Sequence, residues 1–545
     1  MASSVHISPE LEREIEEKKI NAEETLKILS NYNKGAYDHI KPIKATGIPG
    51  IDGKTIMDIR GDFKWEIGRE EALSNMEKLG ITADLARFGE KKGDKLLFSR
   101  EGLEQIGILL YPYLSYGILN GGSATSFIDI KKNRSISPEL FEILKDYFEE
   151  ISGLYKGKAK GITPAFINPE RSPGPSFMEL KMRSLLIEAL KFEQKLSGDT
   201  VAGNLKFDYT DGDLKPLYPL FQMTSIYNDE QIRRACEEYR NSEMLAPLIE
   251  VTGLDITRAE TGVQPVIAAF THSSEGKPKT LFTRAYGKEG ELLPLPGGHG
   301  RNFAVLKGIY KKLYKEGKRF VYLGNIDNLG YTVDPVSVGL LALSGKKAGF
   351  DFSFKTPVDI KGGILIYDQR GKLNCADIGT AITTEEVREA ENKGKKILFN
   401  CATGLFNLEY LVNNLDYIID NLPMRFSDQD KEAGKYSQAE QVTWEVIGIM
   451  DDFLIFGVNK HERFLAAKLL LETLLTSGIG LDNPDFPTTP HPEKDMRAVA
   501  KRLHQGLTKK LQTAYGMKLK RGRWIPEKVE RLFRAMNHDG RHFSK

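Results

Sequence analysis

Short apolar runs alternate with amphipathic stretches of about 15 residues through the middle of this chain, and that alternation constrains it more than any other feature. Tyr116-Gly-Ile-Leu119, Pro265–Phe270, Arg319–Gly324 and Gly362–Tyr367 read as strands. Ser137–Ile151, opened by Ser137-Pro138-Glu139, reads as a helix, as do Ser176–Leu196, Asn228–Met244 and Arg301–Lys315. The segment after Gly371 pairs with Gly362–Tyr367 as a hairpin over the turn Asp368–Gly371. Strands exchanging with helices in this way predict an α/β chain with crossover helices, and no internal repeat of 20–50 residues argues for a solenoid.

The chain has 545 residues, 40% hydrophobic and 28% charged, which excludes a disordered or collagen-like protein and allows a core that needs no disulfide or metal staple. Three cysteines without a CxxC pair fit a reduced compartment. The charged N-terminus and the lack of any apolar run of about 18 residues predict no membrane span and a cytoplasmic protein. The net charge of +2 hides an asymmetry. Residues 491–545 hold 15 Lys and Arg against 5 Asp and Glu, a surplus of +10, so the preceding 490 residues carry −8. Four prolines between Gly478 and Lys494 read as a linker. The expected organisation is a helical N-terminal region over 1–108, a catalytic domain over 109–477, and a linker with a basic, helical appendage over 478–545. The appendage reads as a solvated basic face: no nucleic-acid binding is expected, and truncation after Ser477 is expected to leave activity standing. Nothing in the sequence decides the oligomeric state.

Four segments carry chemistry. Leu119-Asn-Gly-Gly-Ser-Ala-Thr-Ser126 places small residues after a strand, where backbone N–H groups can form an anion nest or simply a turn. Pro294-Leu-Pro-Gly-Gly-His-Gly300 leaves room for a ligand beside an imidazole able to donate to a phosphate or a sugar hydroxyl. Phe320–Gly330 delivers Asn325, Asp327 and Asn328 at the carboxyl end of a strand, where open α/β sheets bind ligands. A lone carboxylate among amides suits Mg²⁺, which takes one or two carboxylates together with phosphates and water, or it stabilises a turn. The lysines of Lys160-Gly161, Lys361-Gly362-Gly363 and Glu462-Arg-Phe-Leu-Ala-Ala-Lys468 acquire meaning only if the fold gathers them.

The order of these segments resembles the UDP-glucose pyrophosphorylase family over roughly residues 110–475. The glycine loop is similar to its nucleotide loop. Lys160-Gly-Ile-Thr-Pro164 and Gly174-Pro-Ser-Phe-Met-Glu-Leu180 resemble its lysine segment and the helix that follows. Gln222-Met-Thr-Ser225, Pro296-Gly-Gly-His-Gly300, Gly324-Asn-Ile-Asp-Asn-Leu-Gly330 with Asp334, Thr356-Pro-Val-Asp-Ile-Lys-Gly-Gly363, Phe399-Asn400 and Arg463-Phe-Leu-Ala-Ala-Lys468 recur in the family's order, the last on a helix.

The resemblance implies a Rossmann-like (GT-A-like) mixed-sheet nucleotidyltransferase core that joins UTP and a sugar 1-phosphate. It assigns Asn120, Gly121, Gly122, Met223, His272 and Gly298 to the nucleotide. Lys160 and Lys468 would neutralise phosphates, Asp327 would hold Mg²⁺, and His299, Asn325, Lys361 and Asn400 would meet the sugar phosphate. His299, where the N-acetylhexosamine branch has Asn, favours glucose 1-phosphate over other UDP-sugar chemistry; a non-catalytic nucleotide-sugar binder is the reading of a different class. The sequence departs from the family in four places. Ala124 replaces a loop glycine, about 25 residues are inserted before Lys160, His272 replaces the uracil-reading Gln, and no β-helical end follows.

Overall fold

The computed structural model describes residues 8–38, 42–198, 219–356, 359, 362–489 and 495–539. Eleven strands form the central sheet: β1 (Ala45–Gly47), β2 (Ile56–Asp58), β3 (Leu114–Leu119), β4 (Leu220–Ser225), β5 (Glu260–Gln264), β6 (Phe320–Asn325), β7 (Ala348–Phe354), β8 (Gly363–Asp368), β9 (Leu373–Asp377), β10 (Leu398–Asn407) and β11 (Leu454–Val458). The spatial order is β2-β11-β7-β10-β6-β3-β4-β5, with β8 joining β10 and carrying β9 and β1. β6, β3, β4 and β5 run parallel, and β10 lies antiparallel between β6 and β7. This is the expected mixed α/β sheet. β3 and β4 are buried at every position, as continuous apolar runs in a sheet covered on both faces should be.

The crossover helices follow their sequence signals. Ser137 caps Pro138–Ser152 by accepting from Leu140 N at 3.3 Å, with Pro138 at the first helical position, where its missing N–H costs nothing. The long helix Phe177–Gly198 is buried on every side from Phe177 to Leu190, charged residues included, and runs through the main core. The hairpin over Asp368–Gly371 forms as expected, with Leu365 opposite Cys375.

Two expectations are corrected. Residues 1–108 are not simply helical: β1 and β2 belong to the central sheet, β2 pairing in parallel with β11, and Lys64–Gly68, Gly89–Lys92 and Lys95–Ser99 form a separate antiparallel sheet. Ile56 and Met57 are buried by that edge pairing. Nor are residues 478–545 an appendage. Helix Met496–Thr513, hairpin Met517–Pro526 and helix Val529–Asp539 pack into the main core through Leu507, Leu511, Tyr515, Trp524 and Leu532. The buried Arg183 guanidinium grips the tail by donating to Tyr515 O at 2.7 Å and Gly516 O at 3.0 Å. Lys501 and Lys509 occupy the exposed face of this amphipathic helix, whose other face is core.

All three cysteines are buried free thiols. Among the described residues no helix is long and apolar enough to cross a membrane.

Candidate active site

The carboxyl ends of three parallel strands coincide. Leu119 of β3 lies beside Met223 of β4 and Asn325 of β6. The chains then turn off together: Asn120 N donates to Met223 O at 2.8 Å, and Ile326 N to Leu119 O at 3.3 Å. Asn120 Nδ2 donates to Gln222 Oε1 at 3.1 Å. A Cβ on Gly161 would stand 2.3 Å from Asn120 Oδ1, so only glycine lets the next strand of chain lie this close. Lys160 N in turn donates to Gly122 O at 3.0 Å. These contacts aim Lys160 Nζ at Asp327 Oδ2, 2.9 Å away. Ala124 has no left-handed backbone; its N–H donates to Lys158 O at 2.9 Å, so the loop closes on the inserted segment without a glycine there.

Asp327 is 5% exposed. Oδ2 takes the ion pair, and Oδ1 has no protein hydrogen-bond partner among the described residues. One carboxylate with a free oxygen, facing a cavity, fits Mg²⁺ that draws its remaining ligands from phosphates and water. The next residue, Asn328, is structural. Its Oδ1 accepts from Gly330 N at 2.9 Å and Leu465 N at 3.0 Å, and its Nδ2 donates to Cys401 O at 3.3 Å and Arg463 O at 3.0 Å. That uses the full capacity of the amide. Asp334 caps the helix Pro335–Ser344, with Ser337 Oγ donating to it at 2.6 Å.

Gly298 has φ +84°, and a Cβ there would lie 2.4 Å from Gln441 O. The next residue is thereby pinned against the segment after Gln441. His299 Nδ1 accepts from Thr443 N at 3.1 Å and lies 2.7 Å from Thr443 Oγ1. Acceptance at Nδ1 assigns the proton to Nε2 on the cavity side. Burial, reinforced by the Lys468 ammonium, pushes His299 down to about 4, so the ring is a neutral donor near pH 7.

A cavity of about 930 Å³ opens beside these groups. His299, Asn325, Asp327, Asn400 and Lys468 line it, and Lys160 reaches it through Asp327. Asn400 is turned inward by a bulge: Cys401, Ala402 and Thr403 of β10 lie opposite the single Asp351 of β7, and Ala402 adopts φ +50°. Asn120, Gly121, Gly122 and Gly298 are not among the residues that line the cavity; Gly122 holds Lys160 through its carbonyl, and Gly298 precedes His299. Met223 and His272 are not brought to the cavity. Met223 is a core residue that contributes its carbonyl to Asn120. His272 bonds Ser274 Oγ at 2.7 Å and stands 3.8 Å from Asp428, on a small sheet formed with Gly434–Glu440. Lys361 lies outside the described residues.

Lys468 does not sit on a helix. Helix Lys460–Arg463 ends, Phe464–Ala467 leaves the helix with Ala466 bridged to Asn328, and the chain bends at Lys468 and Leu469. Lys468 N and Leu469 N both donate to Glu472 Oε2, at 2.7 Å and 3.0 Å, which leaves the Lys468 side chain on the exposed rim. Burial pushes the Glu472 carboxyl up against the pull of those two donors. Sequence reasoning missed Thr443, Glu472 and a buried Lys460–Asp359 pair on the same wall. It also missed Arg425, which spans Glu445 and Asp377. Only Asp359 stood in a segment already singled out.

Residues 277–479 match the family described as UTP–glucose-1-phosphate uridylyltransferase. The match holds His299, Asn325, Asp327, Asn400 and Lys468, and leaves Lys160 and the glycine loop outside. A relative of that name from Solanum tuberosum is 31% identical over 192 residues, 35% of this chain and 39% of the relative. One from Astragalus penduliflorus is 30% identical over 183 residues, 33% of this chain and 38% of the relative. The chain thus spans well under half of the length of these relatives. A UDP-glucose phosphorylase structure from Trypanosoma brucei superposes with TM-score 0.46 at 19% identity, covering 67% of this chain and 65% of that one.

Proposed function

We propose that this chain is a UTP-dependent sugar-1-phosphate uridylyltransferase, with glucose 1-phosphate as its sugar and Mg²⁺ as its cofactor. The observation that carries this reading is the convergence of Lys160, Asp327, His299 and Lys468 on one cavity, at the carboxyl ends of parallel strands and largely within the family-matching segment. The sugar phosphate oxygen attacks the α-phosphorus of UTP. A new P–O bond forms there, the bond to the bridging oxygen breaks, and its electron pair leaves on pyrophosphate. No protein nucleophile is required, so catalysis consists of holding two polyanions in line and offsetting charge. Lys160, paired with Asp327, and Lys468, on the cavity lining, supply positive charge. His299 donates from Nε2 to a phosphate oxygen or sugar hydroxyl without adding charge. Asp327 would hold Mg²⁺, which when bound would supply charge neutralisation for the phosphates. Lys160 then exchanges its carboxylate partner for phosphate. The free buried thiols support a cytoplasmic setting.

The test is pyrophosphate release from UTP with a panel of sugar 1-phosphates, with and without Mg²⁺. Metal-dependent turnover highest with glucose 1-phosphate is expected; no turnover with any sugar sinks the reading.

A further inference from the structure

The loop that carries Asp327 is held from behind by donors far away in sequence. Lys181 Nζ, from the long core helix, donates to Asn328 O at 2.6 Å and also to Tyr331 O. Arg463 Nη1 donates to Thr332 O at 2.8 Å, its other face paired with Asp351. The last two donors come from the tail: Tyr515 OH to Leu329 O at 2.7 Å, and Lys510 Nζ to Thr332 Oγ1 at 3.1 Å. A buried acceptor left unpaired costs about 1–3 kcal/mol, so each donor fixes where its carbonyl or hydroxyl can stand. The loop also touches the tail through a shared element. Val499, Ala500 and Leu503 of helix Met496–Thr513 line the cavity, and Lys510, two turns beyond Leu503 on the same stripe, sits under Thr332.

We infer that Tyr515 and Lys510 are positioning residues: the basic tail is a strut that sets the Asp327 carboxylate relative to Lys160 and His299. The inference rests on the reading of Asp327 given above. Neither side chain lies among those lining the cavity, so each acts through the loop. The hydroxyl of Tyr515 is a clean lever, because its ring is packed in the core and its carbonyl is already held by Arg183.

The experiment uses the full chain with Tyr515→Phe, and Lys510→Met as an independent second variant. Three quantities are read: melting temperature, kcat and KM for both substrates, and hydrogen exchange of the peptide spanning 326–332. The expected result is a melting temperature lowered by no more than about 3 °C. It is joined by kcat lowered about fivefold or more at unchanged KM, and by faster exchange confined to 326–332. A variant with lowered melting temperature but unchanged kcat and unchanged exchange at 326–332 overturns the inference. If the wild-type chain turns over no sugar phosphate, the proposed function fails by itself. The exchange arm then still decides whether the tail holds the loop.

Discussion

Lys160 Nζ and Asp327 Oδ2 lie 2.9 Å apart across 167 residues of chain. The pair is little exposed, and it joins the segment beside the glycine loop to the end of β6. Replacing Asp327 with Ala removes the proposed metal ligand and leaves Lys160 facing phosphate. Turnover is expected to fall by about 10²-fold or more, with a melting temperature close to that of the parent. Lys468→Ala, on the exposed rim, should show the same division. Steady-state kinetics beside thermal unfolding checks both; a proportionate loss of stability and activity would reassign these residues to the scaffold.

Asn328→Ala should behave in the opposite way. Its amide completes four buried hydrogen bonds, so its loss is expected to cost about 3 kcal/mol or more. Denaturant unfolding measures this directly. A stability within error of the parent would mean that water replaces the amide.

Gly298→Ala meets two obstacles, a left-handed backbone and a carbonyl 2.4 Å from the new Cβ. A cost of about 2 kcal/mol or more follows. It should come with reduced turnover, because His299 is displaced from Thr443. Gly300→Ala meets Gln441 as closely but with φ outside the left-handed region, so comparing the two separates strain from contact.

The titration of His299 has a definite sign. The folded chain holds this ring down to about 4, whereas its ordinary value is 6.5. Between those two pH values the unfolded chain binds a proton that the folded chain refuses, so stability declines as pH falls through the window. Wild type should therefore lose more stability than His299→Gln between pH 7 and pH 5 in matched denaturant titrations. Turnover should show no break near 6.5 from this residue, since its Nε2 proton is present on both sides.

The parts of this structure legible in the sequence are those fixed locally. β3, β6 and the hairpin over Asp368–Gly371 announce themselves by apolar runs ended by glycine or Asn and Asp. Helix Pro138–Ser152 does so by its cap and its proline. What escaped was decided at long range. Lys468 looked helical because the residues after Arg463 have helical propensity, but Asn328 captures the Leu465 N–H and pulls the segment extended. His272 occupied the position of a base-reading glutamine, but Ser274 and Asp428 hold it elsewhere. The tail reads as a solvated charge run because its surplus of lysine and arginine is visible in composition, whereas the partner of its apolar stripe is not.

That partner also sets an order of assembly. One wall of the cavity is Met496–Leu503, and the donors under the Asp327 loop include Lys510 and Tyr515. Synthesis from the N-terminus therefore delivers Lys160, His299, Asp327 and Lys468 well before the element that encloses the cavity. A nascent chain that has reached Leu481 but not yet the helix Met496–Thr513 carries an open cavity with exposed Leu474, Leu475 and Ile479. Until roughly the last tenth of the sequence emerges, those side chains are a hydrophobic surface for chaperones, and the cavity is complete only when the helix Met496–Thr513 docks.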